Sequence, residues 1–364
     1  MTSKFGLKAG GLVLAAVGLF SPAPAVANLS FNLSFLSGTS VAAQNAFTQA
    51  AAAWSAVLAD NITVDLTVGT ATLGSGILAQ AGSEDTLYSY SAVRAALGMD
   101  ATSANDATAV ANLQATNNLR VLMNYTTSNT NGSKSPLAYV DSTGFNTANI
   151  RVNNANAKAL GLTPVTGNLG GSCIGTCDAY IAFSNSFSFD MDPSNGISLG
   201  FYDFVGIAVH EIGHALGFVS GVDVLDTNTT GNFADDLFTF ISPLDLYRCS
   251  ADSALQNAID WRAGTATKSF SLDGCDTTLA TFATGQMVGD GRQASHWKDN
   301  LGIGIMDPTA GTGEALSISE RDLIAMDVIG FNRVVNNSAM PEPATALTLV
   351  FGLAGLAMAR RRSR

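Results

Sequence analysis

The stretch "AVHEIGHALGFVSGVD", residues 208–223, decides how this chain is read. His210 and His214 stand four apart. On a helix that spacing puts both imidazoles on one face, one turn apart, where they can share a single metal ion. Glu211 lies beside them and can take a proton from a water acidified by the metal. Ile212, Ala215 and Leu216 are apolar, as a buried helix requires. Gly217 is placed to end the helix with a positive φ and turn the chain away. A catalytic zinc ion needs three protein ligands and one position for water. The next expected ligand position holds Ser220, whose neutral hydroxyl is a poor ligand.

Three residues compete for the third place. Asp223 and Asp226 are near but out of register, and His296 in "ASHWKDN" is far downstream. His296 is preferred, because it is the remaining one of three histidines and imidazole suits this metal. Ten residues later Met306 precedes Asp307-Pro308, which puts a methionine into a tight turn. Asp190 and Asp192 in "FDMDP" could bind calcium, but two carboxylates are few for that ion and a solvated turn is the simpler reading.

Outward from this core the chain alternates strand-like and helix-like patterns. "LSFNLSFL" (29–36) alternates as a strand, 40–60 is Ala-rich at helical spacing, and 61–73 alternates again. That order predicts a sheet layered with helices. "EDTLYSYSAVRAALG" (84–98) reads as a helix and "LRVLMNY" (119–125) as a strand. Residues 126–172, rich in Asn, Thr, Ser and Gly, read as loops. A strand and turn follow at 178–190, then the histidine-bearing helix at 202–217. "LSISERDLIAMDVIGF" (316–331) reads as a closing helix, with Ser317 or Ser319 at its N-cap and Glu320 and Asp322 in its first turn.

The four cysteines suggest two disulfides, paired by position as Cys173–Cys177 and Cys249–Cys275. The N-terminus carries Lys4 and Lys8, an apolar run and "AVA" at 25–27, the pattern of a secretory signal over 1–27. The C-terminal 341–364 joins Pro-Glu-Pro, an apolar run and an arginine cluster, a short transmembrane segment by pattern. Without Lys4, Lys8, Arg360, Arg361, Arg362, Arg364 and Glu342, the remaining chain has 12 basic against 28 acidic residues, a balance of −16. Nucleic acid is therefore excluded as a partner, since phosphate binding needs a basic face.

Two resemblances follow from these motifs. The tail is similar to the PEP-CTERM sorting signal of Gram-negative bacteria. That likeness implies export, transient membrane anchoring, processing by an exosortase-type enzyme, and a cell-surface or extracellular destination. His210 to Phe218, the delayed His296-Trp297 and Met306 together resemble the metzincin zinc metalloproteases of leishmanolysin type, whose motif runs HExxHxxGF with a distant third histidine and a Met-turn. The resemblance implies one zinc ion, ligands His210, His214 and His296, Glu211 as general base, Met306 as a floor beneath the metal, and a protein or peptide substrate. It also implies an α+β fold, with an upper twisted mixed sheet plus helices, a lower irregular subdomain, and the cleft between them. The expected division is 28–217, 218–333, a linker at 334–340, and the tail. Tyr202 and Tyr247 are candidates for stabilising the transition state. A catalytically silent surface or matrix protein keeping a structural metal is the competing expectation.

Overall fold

The computed structural model describes residues 29–334. The leader, the tail and all but the first residue of the linker lie outside the described residues. The fold is α+β. Strand Ser30–Phe35 pairs in parallel with Thr63–Ala71 across the helix Val41–Ser55. Thr63–Ala71 pairs in parallel with Ala179–Ser184, and Ala79–Ser83 closes the sheet as an antiparallel edge. Alternation along Thr63–Ala71 buries Val64, Leu66 and Val68 on one face.

Ser40 caps helix Val41–Ser55 by accepting from Ala43 N–H at 3.2 Å. Its buried face is largely alanine, with Ala43, Ala46, Ala50 and Ala51 beside Phe47 and Trp54. Small residues let it lie close against helix Phe204–Leu216, which carries both histidines. Trp54 Nε1 donates to Val209 O at 2.8 Å and fixes the two helices together. Phe47, Phe183 and Phe204 pack ring to ring between sheet and helices, with Phe183 and Phe204 stacked at 3.9 Å.

Two expectations need correction. Residues 84–98 are not one helix: Asp85–Ser89 is a strand, and Ser89 caps a helix over Tyr90–Asp100. The alternation in "DTLYS" is used for antiparallel pairing with Asn149–Asn153, and helical spacing begins only at Tyr90. Residues 126–172 also contain regular structure, with strands Tyr139–Asp141 and Asn149–Asn153 and helices Phe145–Ala148 and Asn154–Ala159. Their asparagines read as loop formers, yet several are buried and bind backbone carbonyls. Asn153 Nδ2 donates to His214 O at 2.9 Å, and Asn156 Nδ2 to Ile329 O at 2.6 Å.

The closing helix Glu320–Val328 starts at Ser319, in a capping box with Asp322. The chain after it is pinned by carboxylates. Asp60 accepts from Asn332 N–H, and Asp100 from Asn332 Nδ2 at 3.1 Å. Asp106 and Asp327 also lie in this group, and Arg333 is the cation acting on Asp327. Burial pushes Asp60 up to about 6, Asp100 to about 7 and Asp327 to about 6. Their folded values lie above the ordinary 3.8, so the folded state keeps protons that the unfolded chain has lost. The cluster's stabilisation is fully present below that ordinary value and disappears as pH rises through the folded values. Asp100→Asn is therefore expected to raise the thermal midpoint at pH 8 more than at pH 4. An equal shift at both pH values would contradict it.

Candidate metal centre

Helix Phe204–Leu216 is positioned at both ends. Asp203 caps it, with Oδ1 accepting from Gly206 N–H at 2.9 Å, while Oδ2 accepts from Leu316 N–H at 3.1 Å. At the other end Gly217 has φ +125°, and its N–H returns to Gly213 O and His214 O. A Cβ there would press on Asn156, so both conformation and space require glycine.

His210, His214 and His296 converge. Their Nε2 atoms are 3.1 Å (210–214), 3.2 Å (214–296) and 3.3 Å (210–296) apart. Each Nδ1 meets a backbone carbonyl: Ile305 O at 2.7 Å, Phe218 O at 2.7 Å and Gln293 O at 3.2 Å, in that order. A carbonyl only accepts, so each Nδ1 carries the hydrogen and each Nε2 presents a lone pair. Three lone pairs facing one another repel unless a cation sits among them. The trio is therefore positioned to hold a metal ion. Burial lowers all three pKa values, His214 to about 3 and His296 well below the usual imidazole range, and neighbouring imidazoles add to the shift at His214 and His296. Neutral imidazole is the form that ligates.

Glu211 is 6% exposed, and its Oε2 has no hydrogen-bond partner. Burial alone pushes its carboxyl up to about 8. A buried carboxyl oxygen without a partner is unusual, and this one belongs to the residue next to His210. Met306 is fully buried beneath the helix. A Cβ on Gly213 would lie 2.5 Å from Met306 Sδ, so the glycine of "HEIGH" is the space that admits the methionine. Gly213→Val is expected to cost about 1–3 kcal/mol by overpacking, read as a lower urea midpoint. An unchanged midpoint would contradict the close fit.

The other sequence candidates fall elsewhere. Ser220 hydroxyl donates to Asp245, and Ser220 N–H donates to Ser295 Oγ at 2.8 Å. Asp223 is half-buried, with desolvation raising its pKa to about 6, and accepts from Ala294 N–H, Ser295 N–H and Ser295 Oγ. Asp226 accepts from Met287 and Val288 N–H. Both aspartates are occupied in holding the insertion and do not join the histidine cluster. Asp190 accepts from Asp192 and Ser198 N–H and Asp192 from Ser194 N–H; hydrogen bonding from Ser198, its side chain first, and from Asp192 N–H holds Asp190 below the usual carboxylate range. Tyr202 lines the cleft, but Tyr247 is buried away from it and donates to Val328 O at 2.8 Å.

The disulfides pair as expected, Cys173–Cys177 and Cys249–Cys275, which fits an oxidising environment. The second closes a 26-residue separation within the insertion that brings His296 back. Among the described residues no helix is long and apolar enough to cross a membrane.

Sequence reasoning missed the hub of the lower half. Asp322, fully buried, accepts from Trp297 Nε1 at 2.8 Å, Ile305 N–H at 2.9 Å, Met306 N–H at 3.3 Å and Ser319 N–H at 2.7 Å. One carboxylate thus joins the residue after His296, the methionine turn and the cap of the closing helix. Its only sequence signal was its place in the first turn of a helix.

A cleft of about 950 Å³ opens over the histidines. Leu78, residues of the edge strand Ala79–Ser83, Val219 to Gly221, Gln293 and Ser295 line it. Comparison with protein-family models, with curated proteins and with solved structures finds no match.

Proposed function

We propose that the protein is an exported zinc metalloendopeptidase of metzincin-like fold, with Glu211 as general base. One observation carries this reading: three converging Nε2 atoms 3.1–3.3 Å apart, next to an unpartnered buried glutamate, in an open cleft. Tetrahedral zinc with Zn–N near 2.0–2.1 Å requires N···N edges of about 3.3 Å. Three imidazoles also suit zinc better than calcium or magnesium, which prefer oxygen.

Bound there, zinc would lower the pKa of water and polarise a substrate carbonyl. The chain's own residues do the rest. Ile305 O, Phe218 O and Gln293 O fix the imidazole tautomers and ring directions. Glu211 takes the proton from the attacking water and can return it to the leaving amine. Edge strand Ala79–Ser83 offers backbone hydrogen bonds to an extended peptide, which would lie along the cleft as an added strand. The leader and tail motifs support export, processing by an exosortase-type enzyme and a surface or extracellular site.

Hydrolysis of casein by the purified protein tests the reading. Cleavage that a chelator stops and stoichiometric zinc restores is expected. Zinc bound without any cleavage would instead favour the silent surface protein.

A further inference from the structure

His210 and His214 are set by one rigid helix, but His296 arrives at the end of a long insertion. Two charged side chains, one half-buried and one buried, converge on the segment that carries it. Asp223 accepts from Ala294 N–H, from Ser295 N–H at 3.1 Å and from the Ser295 hydroxyl. Arg248 is 1% exposed, and it donates from Nη1 to Ala294 O at 3.3 Å and from Nη2 to Ala283 O at 2.6 Å. Ala283 N–H donates in turn to His296 O at 3.0 Å. The guanidinium also lies 4.8 Å over the Phe282 ring, which stacks on Trp297 at 5.1 Å. Residue 294 is thus held through its N–H by an anion and through its C=O by a cation. His296 O is bonded by Ala283, the residue whose own carbonyl the same cation holds.

Charges withdrawn from water are costly unless paired. Among the described residues neither Asp223 nor Arg248 forms a side-chain ion pair at contact distance. Their charge is directed instead at the backbone flanking one histidine. We propose that Asp223 and Arg248 are positioning residues that set where His296 stands relative to His210 and His214, and thereby the metal affinity of the site. This rests on the zinc reading above. Coordination tolerates errors of only about 0.2 Å, so a small slip of this segment would release one ligand while the helix kept the other two.

Chelator competition on the full chain would measure zinc affinity for wild type, Asp223→Asn, Arg248→Lys and Asp226→Asn. The first two variants are expected to bind zinc about 10–100-fold more weakly, and the visible spectrum of their cobalt-substituted forms should change. Asp226→Asn is the control. Asp226 is the more buried of the two aspartates and holds Met287 and Val288 of the same insertion, but does not touch 294–296. It should lower thermal stability and leave zinc affinity unchanged. The proposal is overturned if Asp223→Asn binds zinc as tightly as wild type with the same cobalt spectrum, or if Asp226→Asn weakens binding equally. If Asp223→Asn does not fold, Ser295→Ala reads the same link, because it removes the hydroxyl joining Asp223 to Ser220 N–H. Unaltered zinc affinity there would count against the proposal. A wild-type protein that binds no metal would sink the zinc reading itself, a different outcome.

Discussion

Glu211→Gln is expected to lower peptide-bond hydrolysis by about 100- to 10,000-fold with zinc still bound. The amide has nearly the same shape, so the packing around this 6%-exposed side chain survives. None of the three imidazoles depends on Glu211 for orientation, since each Nδ1 is held by a backbone carbonyl. What the variant loses is the capacity to accept a proton. Parallel measurement of zinc content and casein cleavage separates this from a collapsed site. Normal cleavage by the variant would remove Glu211 from the mechanism.

His296→Ala is expected to have the larger effect on the metal. It removes one of three ligands, so the affinity loss should exceed the about 10–100-fold that follows loss of an outer-shell partner. Hydrolysis should disappear with the metal. Two imidazoles on one helix turn would remain, and Asp223 could not substitute without abandoning Ala294 and Ser295. Zinc retained at full affinity in this variant would mean that the site has another third ligand.

Much of this site was legible in sequence because its key residues are chemically rare. With three histidines in the chain, a metal site of imidazoles had one possible membership. Gly217 and Met306 could be read because each changes the backbone or fills space in a way its neighbours cannot. The supports were not legible. Asp223 looked like a competing ligand, and only the fold shows its oxygens occupied by the segment bearing His296. Asp322 looked like an ordinary first-turn acid, yet it joins three separate stretches of chain. An aspartate's acceptors carry no mark of which distant N–H they will meet.

The same limit applied to the fold. The strand–helix–strand start was clear because Val64, Leu66 and Val68 alternate and the alanines of 41–55 keep helical spacing. Residues 139–159 were lost to composition. Their asparagines serve buried carbonyls such as His214 O and Ile329 O, whereas surface loops would leave them to water. Ser220, at the position where a compact site would place its ligand, donates its backbone N–H to the residue preceding His296. The detour through the insertion therefore ends beside the position it replaces.

X-ray absorption at the zinc edge of the purified full chain would report the ligand set itself. A split three-histidine centre should give one zinc per chain, with three nitrogen neighbours at about 2.0–2.1 Å and one light-atom neighbour. Sulfur neighbours, fewer than three imidazoles, or no bound zinc would contradict it.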